Sequence, residues 1–112
     1  TAARGALPAW KNSSASERAA YLRGFAEQLG QRREALITLQ MRNNGKPRHE
    51  AEIDLDDAIA TFGYYAELAE QLPSKNRDVP LAAPGFSART RLEPVGVVGL
   101  IVPWNFPLVT SA

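Results

Sequence analysis

Three side chains have the type and the setting for chemistry: Asn105, Trp104 and Asp54. Asn105 lies just past an apolar run, Val97 to Val102, across Pro103 and Trp104, with Pro107 two residues on. An amide donor at the carboxyl end of a buried strand sits where open α/β sheets place their ligands. A fixed neutral donor in a dry site stabilises an oxyanion without reorganising as charge develops. The same position also suits a helix N-cap, because Pro107 fits the first turn of a helix, where its missing N–H has no partner to lose. Trp104 either covers a flat ligand or fills core space beside a proline. Asp54 stands three residues after Ala51 and four before Ala58, so it leans toward the apolar face of its helix. A carboxylate so placed needs a cation, an arginine or backbone donors; the alternative is a solvated member of an acidic first turn with Glu50, Glu52, Asp56 and Asp57. His49, the only histidine, has no partner at metal or catalytic spacing and reads as a surface residue. Gly96 and Gly99 do not complete a G-x-G-x-x-G fingerprint.

These residues need elements to hold them. Thr1 to Asn12 reads as the end of a helix and a loop. Ser14 and Glu17 have the spacing of a capping box, in which each side chain reaches the other's free backbone N–H. Leu22, Phe25, Ala26 and Leu29 follow on one helical face, and Gly30 is placed to end or bend that helix. Ala35, Leu36, Ile37, Leu39 and Met41 carry the next. Asn43 to Pro47 closes it, with Gly45 free to take a left-handed conformation and Pro47 able to open a new helix. The spacing predicts the longest helix over about 47–72, stopped by Pro73, with Ala51, Leu55, Ala58, Ile59, Phe62, Tyr65, Ala66, Ala69 and Leu72 on its stripe. Ser74 to Gly85 reads as a surface connection. Phe86 to Glu93 alternates as a strand with one wet face, on which Arg89 and Arg91 make either a subunit contact or a solvated pair. Val97 to Val102 reads as a second strand, dry on both faces.

Composition narrows the function. A formal charge of +1 gives no electrostatic reason to expect nucleic acid or an anionic membrane as partner. No segment approaches the roughly 20 apolar residues that span a bilayer. No signal-peptide pattern is seen, and a cytoplasmic location is the expectation. The absence of cysteine excludes disulfides, thiolate metal sites and a cysteine nucleophile within these residues. Thr1 in place of Met, and a new helix only just begun at Thr110-Ser-Ala112, predict a piece of something larger rather than a small helical domain.

The stretch Glu93-Pro-Val-Gly-Val-Val-Gly-Leu-Ile-Val-Pro-Trp-Asn-Phe-Pro-Leu108 resembles the NAD(P)-dependent aldehyde dehydrogenase superfamily, with Pro-Trp-Asn-Phe-Pro as its most specific motif. Asn44-Gly-Lys-Pro47 is similar to the family's short loop before its long helix, and Ala51 to Ala66 to that helix. The resemblance implies an α/β fold: N-terminal helices (residues 1–85) packed on a Rossmann-like cofactor-binding domain, one strand of an oligomerisation element (86–93), and the first Rossmann-like strand with the start of its helix (94–112). It implies oxidation of an aldehyde, leaning toward betaine or amino aldehydes, to a carboxylic acid through a cysteine thiohemiacetal and thioester, the cysteine lying beyond residue 112. By the same resemblance, Asn105 is the oxyanion-hole amide. Ile101, Val102, Pro103, Trp104 and Asn105 line the cofactor, NAD or else NADP, and Asp54 helps hold a monovalent cation. A homodimer or homotetramer is implied, inactive as this segment alone. The alternative is a non-catalytic structural or binding protein on the same fold.

Overall fold

A computed structural model describes residues 2–72 and 76–112. Four helices come first: α1 (Ala2–Lys11), α2 (Ala15–Gln31), α3 (Arg33–Asn44) and α4 (Arg48–Gln71). Two short strands follow, β1 (Arg77–Val79) and β2 (Ala88–Thr90), paired antiparallel with Asp78 opposite Arg89.

Local chemistry sets most helix ends. The Ser14 side chain accepts from the Glu17 N–H, and the Glu17 carboxylate accepts from the Ser14 N–H at 2.6 Å, so the expected capping box is complete. Gly30 does not end α2; the helix runs one residue further and breaks at Arg32, whose N–H still bonds the Gln28 carbonyl. α3 ends at Gly45 with φ +75°, and the Gly45 N–H donates to the Met41 carbonyl at 3.0 Å. A side chain at this φ is strained by about 1–2 kcal/mol, which is the reason for glycine here. Pro47 caps α4 in an extended conformation and accepts from the Ala51 N–H. The stop assigned to Pro73 lies outside the described residues.

α2, α3 and α4 pack together around small residues. Ala19, Ala51, Ala58 and Ala66 are fully buried. Phe25 of α2 stacks on Phe62 of α4 with ring centroids 5.5 Å apart. The core proper is Ile37, Ala51 and Leu55, with Leu29, Leu36, Met41, Ile59 and Leu108 packed on it. Leu108 is the structural surprise in that set, because it brings the C-terminal segment onto the α3–α4 pair. One expectation for α3 fails. Leu39 is 62% exposed, while Gln40 is only 4% exposed. The inward face of α3 runs through Ile37, Gln40, Met41 and Asn44, one helical stripe, and Leu39 falls off it.

The strand region also differs from the sequence expectation. Part of the supposed connection, Arg77–Val79, forms β1, and only Ala88–Thr90 of the 86–93 stretch is a strand. Residues 97–102 form no strand among the described residues, and Ile101 is 99% exposed. A strand dry on both faces needs a partner on at least one edge and a layer on each face; none of the described elements supplies them. Beyond Pro107 the chain makes helical turns rather than a helix, with the Thr110 N–H bonded to the Phe106 carbonyl.

Ion pairs tie the helices at the surface. Arg23 of α2 forks onto Glu70 of α4, and Arg33 of α3 onto Asp56 of α4. These bonds hold the Glu70 and Asp56 carboxyls below their ordinary values, and the cap does the same for Glu17, chiefly through the Ser14 backbone N–H. A carboxylate whose folded pKa is depressed stabilises the fold at pH above its unfolded value and loses that contribution as pH falls through the folded one. We expect the protection of amides across α2 and α4 of the intact protein, relative to free-peptide exchange at the same pH, to be flat near neutrality. It should fall only below the ordinary carboxylate values of 4.5 for Glu and 3.8 for Asp. The acid-induced part should shrink in Asp56→Asn; an unchanged acid profile in that variant would remove the Arg33 pair as a contributor.

Candidate functional site

The site is a turn, Trp104-Asn105-Phe106, seated on the loop between α3 and α4. The loop is shaped first. Gly45 reverses the chain after α3, and Asn44, on the last turn of α3, accepts the Lys46 N–H on its Oδ1 at 3.1 Å. This local side-chain-to-backbone bond is a common way for Asn to fix a turn. It leaves the Asn44 Nδ2 pointing the other way, where it donates to the Trp104 carbonyl at 3.3 Å.

Lys46 is held by the opposite need. Asp54 is 3% exposed, so its lean toward the apolar face is realised and it is not a solvated residue. Burying a carboxylate without a partner is prohibitive. The Lys46 ammonium binds Asp54 Oδ2, and both side chains are largely out of water. The same ammonium lies 4.1 Å from the centroid of the Phe106 ring. A cation over an aromatic face is attracted by the ring quadrupole, more so when desolvated. One buried charge on α4 thus orders a loop lysine, and that lysine orders Phe106.

The turn is therefore gripped on either side of Asn105: at the Trp104 carbonyl by Asn44, and at the Phe106 ring by Lys46. Two residues further, Leu108 anchors the segment in the core. Asn105 itself is exposed. Trp104 is 74% exposed, so it is not a core aromatic among the described residues. Ile101 and Pro103 are also exposed and Val102 is half-buried, so these four residues make an open apolar strip leading to Asn105. Such an arrangement presents a neutral amide donor from a rigid back, next to a surface that suits a flat, partly apolar ligand. Asp54 is buried and engaged with Lys46. His49 is exposed, as expected.

Asn44 and Lys46 carry no role in the sequence reading of the site. The signal for Lys46 lay in Asp54, a carboxylate on an apolar stripe with a long cationic side chain eight residues upstream, in the loop that opens the same helix. Asn44 had no comparable signal, because its partner is a backbone carbonyl 60 residues away. The buried Gln40 donates its amide to the Ala51 carbonyl at 3.3 Å, which ties α3 to the first turn of α4 beneath the loop.

Comparison with known proteins follows this geometry. Residues 1–112 match the family described as "Aldehyde dehydrogenase family". The chain is 46% identical to Aminoaldehyde dehydrogenase 2 of Solanum lycopersicum over 113 residues, covering 98% of this chain and 22% of that protein. It superposes on a crystal structure of betaine aldehyde dehydrogenase from Staphylococcus aureus in complex with NAD+ at TM-score 0.86 and 34% identity, covering 98% of this chain and 22% of that one. It superposes on a structure described as an E. coli NADP dependent enzyme at TM-score 0.89 and 30% identity, with the same coverage. The chain thus spans about a fifth of the length of these relatives.

The Lys46–Asp54 pair carries a stability prediction. Lys46→Met leaves the Asp54 carboxylate buried and unpaired, and removing one partner of such a pair costs about 3–5 kcal/mol. Lys46→Met combined with Asp54→Leu should recover most of that loss. Amide exchange over residues 44–56 of the intact protein is the readout, and equal behaviour of the single and double variants would contradict the pairing.

Proposed function

The chain belongs to the aldehyde dehydrogenase family, and from that premise we propose that the intact protein oxidises an aldehyde, of the betaine- or amino-aldehyde kind, to a carboxylic acid with NAD+ or NADP+. The observation that carries this reading is the exposed Asn105 amide, presented from a turn gripped at Trp104 and Phe106.

The role of this chain's residues follows from the charge that the reaction develops. When a nucleophile adds to an aldehyde carbon, the carbonyl oxygen becomes an oxyanion. The Asn105 Nδ2 donates to that oxygen, and because the turn is already fixed, the donor needs no reorganisation as the charge grows. The nucleophile, a cysteine by family resemblance, is supplied from outside these 112 residues, which hold none. The nicotinamide cofactor, when bound, accepts the hydride that leaves the substrate carbon. Ile101, Val102, Pro103 and Trp104 would supply an apolar wall for it beside the amide donor.

The same reading covers organisation. The exposed apolar run from Val97 to Val102 becomes the first strand of a Rossmann-like sheet once its neighbours are present, within a cofactor-binding part that also takes in the helices of residues 1–85. Residues 86–93 serve an oligomerisation element in a homodimer or homotetramer. No described helix is long and apolar enough to cross a membrane.

The resemblance also implies a monovalent cation beside Asp54. In this fold the Lys46 ammonium takes one oxygen of that carboxylate, Oδ2.

Two outcomes are expected. Asn105→Ala should lower kcat for aldehyde-dependent NAD+ reduction by about 10²–10³, the usual loss for one oxyanion donor; a rate close to the parent's would leave Asn105 a structural residue. The melting temperature of the intact protein should be higher in potassium chloride than in choline chloride. A potassium-dependent rise that disappears in Asp54→Asn would place the ion on this carboxylate.

A further inference from the structure

Asn44 uses both ends of its amide, on two unrelated backbones. Its Oδ1 accepts from the Lys46 N–H at 3.1 Å, and its Nδ2 donates to the Trp104 carbonyl at 3.3 Å. These partners fix the orientation of the amide: turned over, the NH2 group would face an N–H donor and the oxygen would face a carbonyl oxygen. The Trp104 carbonyl belongs to the peptide unit whose nitrogen is that of Asn105. A bond to that carbonyl therefore holds the peptide plane from which the Asn105 side chain departs. On the other side of Asn105, the Phe106 ring rests against the Lys46 ammonium.

We propose that Asn44 is a positioning residue for the reaction: through the Trp104 carbonyl it sets the direction of the Asn105 amide. This rests on the reading of Asn105 as oxyanion donor. Asn44 touches neither substrate nor cofactor in this scheme. It acts by restricting rotation of one peptide plane, so that the donor is aimed before charge appears. An oxyanion donor is effective only where its direction is pre-set, and misplacement of a reacting group by about 1 Å can cost as much as 10²-fold in rate. The requirement is specific to a residue that donates one way and accepts the other. Asp in place of Asn44 keeps the acceptor for the Lys46 N–H, loses the donor to Trp104 and turns a charged oxygen toward that carbonyl.

The test is a double-mutant cycle on the intact enzyme with Asn44→Asp and Asn105→Ala. Asn44→Asp alone should lower kcat by about 10- to 100-fold, with the KM for NAD+ and the melting temperature close to the parent's. Asn44→Ser, whose hydroxyl can donate or accept, should recover part of the rate. In the Asn105→Ala background, Asn44→Asp should cause no further loss, because the residue it aims is gone. Parent-like kcat in Asn44→Asp overturns the proposal. So does a loss that multiplies with that of Asn105→Ala, since Asn44 would then act by another route. Neither result touches the oxyanion role of Asn105, which fails separately if Asn105→Ala alone is fully active.

Discussion

The buried carboxylate of Asp54 is the constraint on which the rest of the site depends. It sits on the apolar stripe of α4, where an unpaired negative charge cannot be tolerated. Its partner has to be a cation long enough to reach inward from the edge of the helix, and Lys46 meets that need from the loop two residues before α4 begins. Once the ammonium is fixed, so is the path of the Gly45–Pro47 loop, and the face that the loop presents becomes a seat for Phe106. A charge that contributes little net stability in its own right thereby transmits order to a segment more than 40 residues further along the chain.

The helical packing around it follows a simpler rule. Alanines at the contacts let α2 and α4 come close, and Phe25 against Phe62 fills the wider part of the gap. Surface pairs, Arg23–Glu70 between α2 and α4 and Arg33–Asp56 between α3 and α4, lie in water, where such pairs contribute little. Packing, not pairing, holds the bundle. Leu108 extends that packing to the C-terminal segment, which is how residues with no strand partner still acquire a defined position.

Much of this was legible from residue types and spacing where the cause is local. Ser14 with Glu17, Gly45 after α3, and the stripe Ala51, Leu55, Ala58, Ala66 all act within one or two helical turns. The fold class and the family were legible from a resemblance carried by a few specific residues. The failures share a different cause. Leu39, expected on the packed face, is exposed and Gln40 is buried, because apolarity alone does not say which stripe of α3 meets α4. β1 was missed because three residues, Arg77–Val79, carry almost no periodicity. The Val97–Val102 run has the composition of a buried strand, yet a strand is a relation between segments and needs a partner to pair with.

By itself the sequence determined the start of α2, the end of α3, which face of α4 is apolar, that Asp54 leans toward that face, and that an amide follows a strand-like run. These depend on backbone stereochemistry and on the cost of desolvation, which act over a few residues. Only the tertiary structure decided that the partner is Lys46 and that Asn44 reaches the Trp104 carbonyl. It also showed that Asn105 sits between these two contacts. Those outcomes depend on distances between segments 60 residues apart, which become short only after α3 and α4 have packed and Leu108 has joined them.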